Sequence, residues 1–187
     1  MGTDPLYSGY PMRGYPCDIA IAAPSSISLP ALSAAMERSY AVHKTGIAAR
    51  RARIDEARQI VRARWQQIEE GMETATPIHP AWLSRCVGDL MDDNAILINE
   101  MGVALPHVSL SNPGSFFAAS PVSGLGWGLG AAVGAKLAAP DKLVIAAIGD
   151  GSYYFGNPAA AHYCARAYDL PVLYIILDNS AWGAVRR

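Results

Sequence analysis

Apolar positions divide this chain into two regimes. Between residues 46 and 71, Ile54, Ala57, Val61, Trp65 and Ile68 recur at three- and four-residue steps, which predicts an amphipathic helix with one apolar stripe. Its other faces carry arginine and acid, and the pattern is that of a solvated surface with i,i+4 charge pairs. Upstream, "SISLPALSAAMERSY" is consistent with a further helix, after a short apolar run, "DIAIAA", in proline- and serine-rich sequence. "GMETATPIHP" then breaks the helical pattern with turn formers and two prolines. From residue 79 the rhythm changes. "NAILIN", "KLVIAAIG" and "PVLYIIL" are apolar runs of strand length, separated by the helical segments "PAWLSRCVGDLM", "LGAAVGAKLA" and "NPAAAHYCARAYD". "GSFFAASPVSG" has the composition of a loop. Continuous apolar strands that alternate with helices predict an α/β fold, a parallel sheet with helices on both faces. The expected divisions are 1–40, a helical linker at 41–78, and an α/β domain at 79–187.

Composition narrows the classes. The chain has 187 residues, 51% of them hydrophobic, which is ample for a core. A net charge of −1 gives no electrostatic case for nucleic acid. The three cysteines, Cys17, Cys86 and Cys164, form no CxxC pair and no disulfide framework, which suits a reducing cytoplasm. "MGTDPLYSGYPMRGYPC" lacks the basic start and apolar run of a secretory leader. No apolar stretch approaches the roughly 20 residues that cross a bilayer, so no membrane partner is expected.

The chemistry gathers at strand ends. Asp150 stands between Gly149 and Gly151 where "KLVIAAIG" stops, and Asn179 follows the end of "PVLYIIL". In open parallel sheets, ligands bind beyond the carboxyl ends of the strands. Neighbouring strands lie about 5 Å apart, so adjacent ends could bring a carboxylate and an amide oxygen to one small cation. Oxygen ligands of this kind suit Mg²⁺, which commonly completes its octahedron with phosphate and water. Gly149 and Gly151 permit a sharp turn and close phosphate approach. Gly151 and Ser152 offer N–H groups at a helix start that favours anions, and Ser152 adds a hydroxyl. The layout predicts a metal-bridged diphosphate.

Other readings are weaker. Gly126, Gly128 and Ala131 satisfy G-x-G-x-x-A, but no good strand precedes them as a dinucleotide fingerprint requires. His43, His79 and His107 have no zinc-ligand spacing. His162 and Cys164 are expected to pack, and Asp178 to cap a turn. Trp127 and Trp182 sit near the motifs and could line a pocket or simply pack.

GDGS, followed by an Asn-containing turn and then Gly, resembles the cofactor signature of thiamine diphosphate enzymes. "NPGSFFAASPVSGLGWGLGAAVGAKLAAPDKLVIAAIGDGS" resembles the acetolactate synthase, benzoylformate decarboxylase and pyruvate oxidase group. The usual Asn-Asn is Asp178-Asn179 here. The resemblance implies Asp150, Asn179 and the Ala181 carbonyl as Mg²⁺ ligands. It places the Ser123 backbone and Leu125 against the aminopyrimidine ring, with Leu125 holding the cofactor bent. Gly102 and Val103 of "NEMGV" fall at diphosphate-contact positions through their backbone, and Gly151 and Ser152 complete the cofactor set. Residues 1–40 resemble the tail of the family's central domain, and 79–187 its diphosphate-binding domain, incomplete at its C-terminus. The implied chemistry is decarboxylation or carboligation of a small-molecule 2-oxo acid by a homo-oligomer, dimer or tetramer, with each site shared between subunits. The family's essential glutamate belongs to an N-terminal domain, so no catalytic residue is assigned and Glu100 is not put in its place. This chain alone is expected to turn over little substrate. Whether FAD is bound, and which 2-oxo acid reacts, stay open. The alternatives are a non-catalytic binding module and another Mg²⁺–phosphate enzyme, such as a phosphotransferase. The latter would need a basic residue near Gly151, and none lies nearby in sequence.

Overall fold

Apolar runs with no polar alternation need cover on both sides, and a computed structural model shows how they obtain it. It describes residues 16–118 and 124–183. The chain divides into two compact units, Met1–Gln59 and Ile60–Arg187.

A helix, α1, spans Ser25–Gly71. The sequence pattern had suggested separate segments around residues 26–40 and 46–71. Only Gly46 interrupts the helix-forming sequence between them, and one glycine costs a helix about 1 kcal/mol without ending it. The apolar stripe is largely open to solvent in its first part: Ile54 is 58% exposed and Val61 43%. Trp65 and Ile68 are half-buried.

The second unit contains α2 (Pro80–Asp89), β1 (Ala95–Glu100), β2 (Phe116–Ala118), α3 (Trp127–Ala138), β3 (Leu143–Gly149), α4 (Asp150–Phe155), α5 (Pro158–Ala167) and β4 (Leu173–Leu177). The strands form one sheet in the order β2-β1-β3-β4. All three pairings are parallel. Sequence reading treated β2 as loop. It is a three-residue edge strand, too short to carry a period.

Alternation along the strands sorts the core into two faces. Ile96, Ile98, Val144, Ala146 and Ile148 pack with Leu129 and Ala132 of α3, and partly buried Ala161 of α5 joins them. Leu97, Ile145 and Ala147 point the other way, onto Val87 of α2 with Val103 and Val108. The helical segment after GDGS is two helices. Asn157, at φ 55°, breaks the path after α4, and Pro158 starts α5, a position where its missing N–H costs nothing.

A polar cluster ties the C-terminal end of α1 to the loop after β1. Glu69, only 8% exposed, lies with Oε1 2.7 Å from His107 Nδ1 and Oε2 3.5 Å from Arg85. His79 Nδ1 accepts from Ala81 N–H at 3.1 Å and caps α2. Thus two of the histidines without ligand spacing serve structure. Among the described residues, no helix is long and apolar enough to cross a membrane.

Candidate active site at the strand ends

β3 and β4 are hydrogen-bonded neighbours, with Gly149 opposite Leu177. The residues that follow, Asp150 and Asp178-Asn179, therefore leave the sheet side by side at its carboxyl edge. Asp150 opens the first turn of α4, where a negative charge is favoured by the helix dipole. Partial burial, the largest single influence, pushes its carboxyl upward. The N–H groups of Gly151, Asn179 and Ala181, with hydrogen bonding to Asp178, more than offset that and hold it below the ordinary aspartate range. The Asp150 side chain is thus turned toward the Asn179–Ala181 turn.

Asp178 organises that turn. Its Oδ1 accepts from the Ser180 N–H at 2.7 Å and lies 3.3 Å from the Ser180 hydroxyl. Ser180 takes φ 52° as a result of the reversal, a conformation that side-chain-to-backbone bonding of this kind supports. The aspartate that departs from the Asn-Asn pattern thus has a local role. The Ala181 carbonyl accepts the Gly183 N–H at 2.9 Å, which leaves it a second lone pair. Trp182, 46% exposed, lays its ring over Gly151, where a Cβ would stand 2.9 Å from its Cε3.

The second wall is the turn before α3. Gly126 has φ +88°, and a Cβ there would stand 2.7 Å from the Gly156 nitrogen, so this turn and the end of α4 meet backbone to backbone. Ser152 is buried at 4% exposure, and its carbonyl faces Gly126. Leu125, half-buried, lies in the turn just ahead of α3. Ser123 lies outside the described residues. Glu100, the last residue of β1, is 2% exposed and accepts the Gly126 N–H at 2.6 Å and the Gly128 N–H at 2.7 Å.

Gly102 and Val103 follow β1. Their N–H groups both donate to Asn99 Oδ1, at 3.2 and 2.9 Å, and Val103 is buried in the core. These donors are engaged within their own loop. Asn99 and Glu100 are the residues whose part sequence reasoning missed. Polar residues closing an apolar strand were a visible signal, but their partners were not.

The fit of this edge to Mg²⁺ and a diphosphate depends on its donor set. Among the described residues, no three His, Cys, Asp or Glu side chains gather as a metal site. The groups at this edge are oxygen donors: the Asp150 carboxylate stands beside the turn that carries the Asn179 amide and the Ala181 carbonyl. Hard oxygen donors few in number fit Mg²⁺ that shares phosphate oxygens.

The chain is similar to known proteins over this region. The family model for the thiamine pyrophosphate enzyme C-terminal TPP binding domain matches residues 99–187. Benzoylformate decarboxylase of Pseudomonas aeruginosa is 37% identical over 118 residues, 61% of this chain and 22% of that protein. The acetolactate synthase large subunit of Lactococcus lactis is 26% identical over 114 residues, 59% of this chain and 20% of that protein. Among solved structures, the thiamine diphosphate-dependent 4-hydroxybenzoylformate decarboxylase of Rhodococcus jostii superposes with a TM-score of 0.51 at 42% identity, covering 58% of this chain and 21% of that one. The chain spans about a fifth of the length of these relatives, as those shares of 22%, 20% and 21% show. Residues 99–187 are thus similar to the C-terminal cofactor-binding domain of thiamine pyrophosphate enzymes.

Proposed function

We propose that this chain holds Mg²⁺–thiamine diphosphate for an enzyme that decarboxylates or carboligates 2-oxo acids. The observation that carries the reading is the pairing of β3 with β4, which sets Asp150 beside the Asn179–Ala181 turn. Asp150, Asn179 and the Ala181 carbonyl would hold the metal. Gly151 and Ser152, in the first turn of α4, would face the diphosphate. Leu125, with the Ser123 backbone, would meet the ring system. Thiamine diphosphate, when bound, supplies an electron sink for breaking or making a bond beside a carbonyl.

The protein's own share is binding and orientation. The Asp150 carboxyl, held below its ordinary range by neighbouring N–H groups, offers a charged ligand without needing a base to deprotonate it. The backbone contact between Gly126 and Gly156 at the end of α4 fixes one wall of the site. The 2-oxo acid substrate, an oligomer that shares its site between subunits, and a cytoplasmic setting belong to this same proposal. The named activities of the relatives, benzoylformate decarboxylase and acetolactate synthase, support a 2-oxo acid.

Titration calorimetry of the chain with thiamine diphosphate, with and without Mg²⁺, tests the reading. Binding that requires Mg²⁺ is the expected result. Equal heats with and without the metal would overturn the assigned ligand set.

A further inference from the structure

Glu100 is a carboxylate in an unusual position. It ends an interior strand, it is 2% exposed, and among the described residues it forms no salt bridge. Burying such a group demands compensation. Two short bonds supply it, from Gly126 N–H at 2.6 Å and Gly128 N–H at 2.7 Å. Both donors lie where α3 begins, so the positive end of the helix dipole adds to them. The fit is close: a Cβ on Gly128 would stand 2.8 Å from Glu100 Oε2.

The bonds join residues 26 and 28 positions apart in the chain. They fasten the turn before α3 to the end of β1, and β1 is itself paired with β3, the strand that ends at Asp150. Leu125 sits immediately before the first anchored N–H. Nothing else among the described residues gives this turn a side-chain hydrogen bond. We infer that Glu100 is a positioning residue, which holds the Gly126–Gly128 backbone so that Leu125 is presented to the ring end of the cofactor. This rests on the proposal that the site takes thiamine diphosphate. It assigns Glu100 no contact with the cofactor and no proton transfer. A glutamine in its place keeps one acceptor oxygen and turns an NH₂ toward the second donor, so half of the anchor is lost.

The test uses the 187-residue chain, Glu100→Gln and Glu100→Ala, with two readouts. Amide hydrogen exchange reads the tether directly. Glu100→Ala should expose both Gly126 and Gly128 amides, and Glu100→Gln one of them, while the amides of β3 keep their protection. Calorimetry then compares Mg²⁺–thiamine diphosphate with Mg²⁺–pyrophosphate. Glu100→Gln should weaken the first ~10-fold, the size of one charged hydrogen bond, and leave the second unchanged, because the diphosphate end is held elsewhere. Equal weakening of both ligands, or of neither, overturns the positioning role, as does unchanged exchange at Gly126 and Gly128. A parent chain that binds neither ligand overturns the cofactor reading and the role built on it, while the exchange data still decide whether the tether exists.

Discussion

Gly102 sits where the chain leaves β1 and presses against the sheet. A Cβ added there would stand 2.5 Å from both the carbonyl carbon and oxygen of Ala147, and 2.7 Å from its Cβ. Ordinary carbon contacts begin near 3.5 Å, so an alanine is about 1 Å too close. The obstacle cannot step aside. Ala147 is fully buried in β3, which is hydrogen-bonded on both edges, to β1 and to β4. The loop must move instead, and Gly102 and Val103 would lose their bonds to Asn99. Overpacking of this kind costs about 1–3 kcal/mol. For a chain of this size that is a fall in melting temperature of about 3–9 °C. The control is Gly134→Ala, within α3, where the added Cβ meets nothing within 4 Å. Relief of helix-interior glycine should there raise stability by about 0.5–1 kcal/mol. Thermal melts followed by far-UV circular dichroism compare the two against the parent. A Gly102→Ala chain that melts within about 1 °C of the parent would refute the steric argument, since that is the range of a neutral change.

Other perturbations separate packing from chemistry. Leu97→Ala empties a fully buried site on the α2 side of β1 and should cost about 2–5 kcal/mol by urea denaturation. Glu69→Gln weakens the polar cluster with His107 and Arg85 and should cost about 1–3 kcal/mol, as expected when a buried charged partner is removed. Asp178→Asn keeps an acceptor for the Ser180 N–H and should leave stability within about 0.5 kcal/mol, whereas Asp178→Ala loses the turn bond and about 1 kcal/mol. Asp150→Ala should abolish Mg²⁺-dependent cofactor binding and lower the melting temperature only slightly, since the carboxylate's bonds to the Gly151, Asn179 and Ala181 N–H groups are lost while the core stays intact. Retained Mg²⁺-dependence in that variant counts against Asp150 as a ligand.

Much of the architecture follows from local pattern. Apolar runs at Ala95–Glu100, Leu143–Gly149 and Leu173–Leu177 announce strands of a parallel sheet, buried at β1 and β3 and half-buried at the edge strand β4, and their ends announce where a ligand would lie. Asp150 and Asn179 stand out because glycine and turn residues there are expensive to place in a strand. The same logic fails for β2, whose three residues are half-buried or exposed and have no period to display. It also fails where one helix runs from Ser25 to Gly71, because a single weak residue reads as a break only if the surroundings let it be one.

Sequence alone determined three of the four strands, that the sheet is parallel, and which residue types stand at those strand ends, since burial and turn chemistry are written into neighbouring positions. Tertiary structure alone decided that β1 lies between β2 and β3. That places Glu100 within reach of Gly126 and Gly128, and engages the Gly102 and Val103 amides with Asn99. A pattern of apolar residues states that a strand must be covered; it does not state by what. The partner of a buried carboxylate more than twenty residues away is chosen by how the sheet packs, and becomes visible only when the chain has folded.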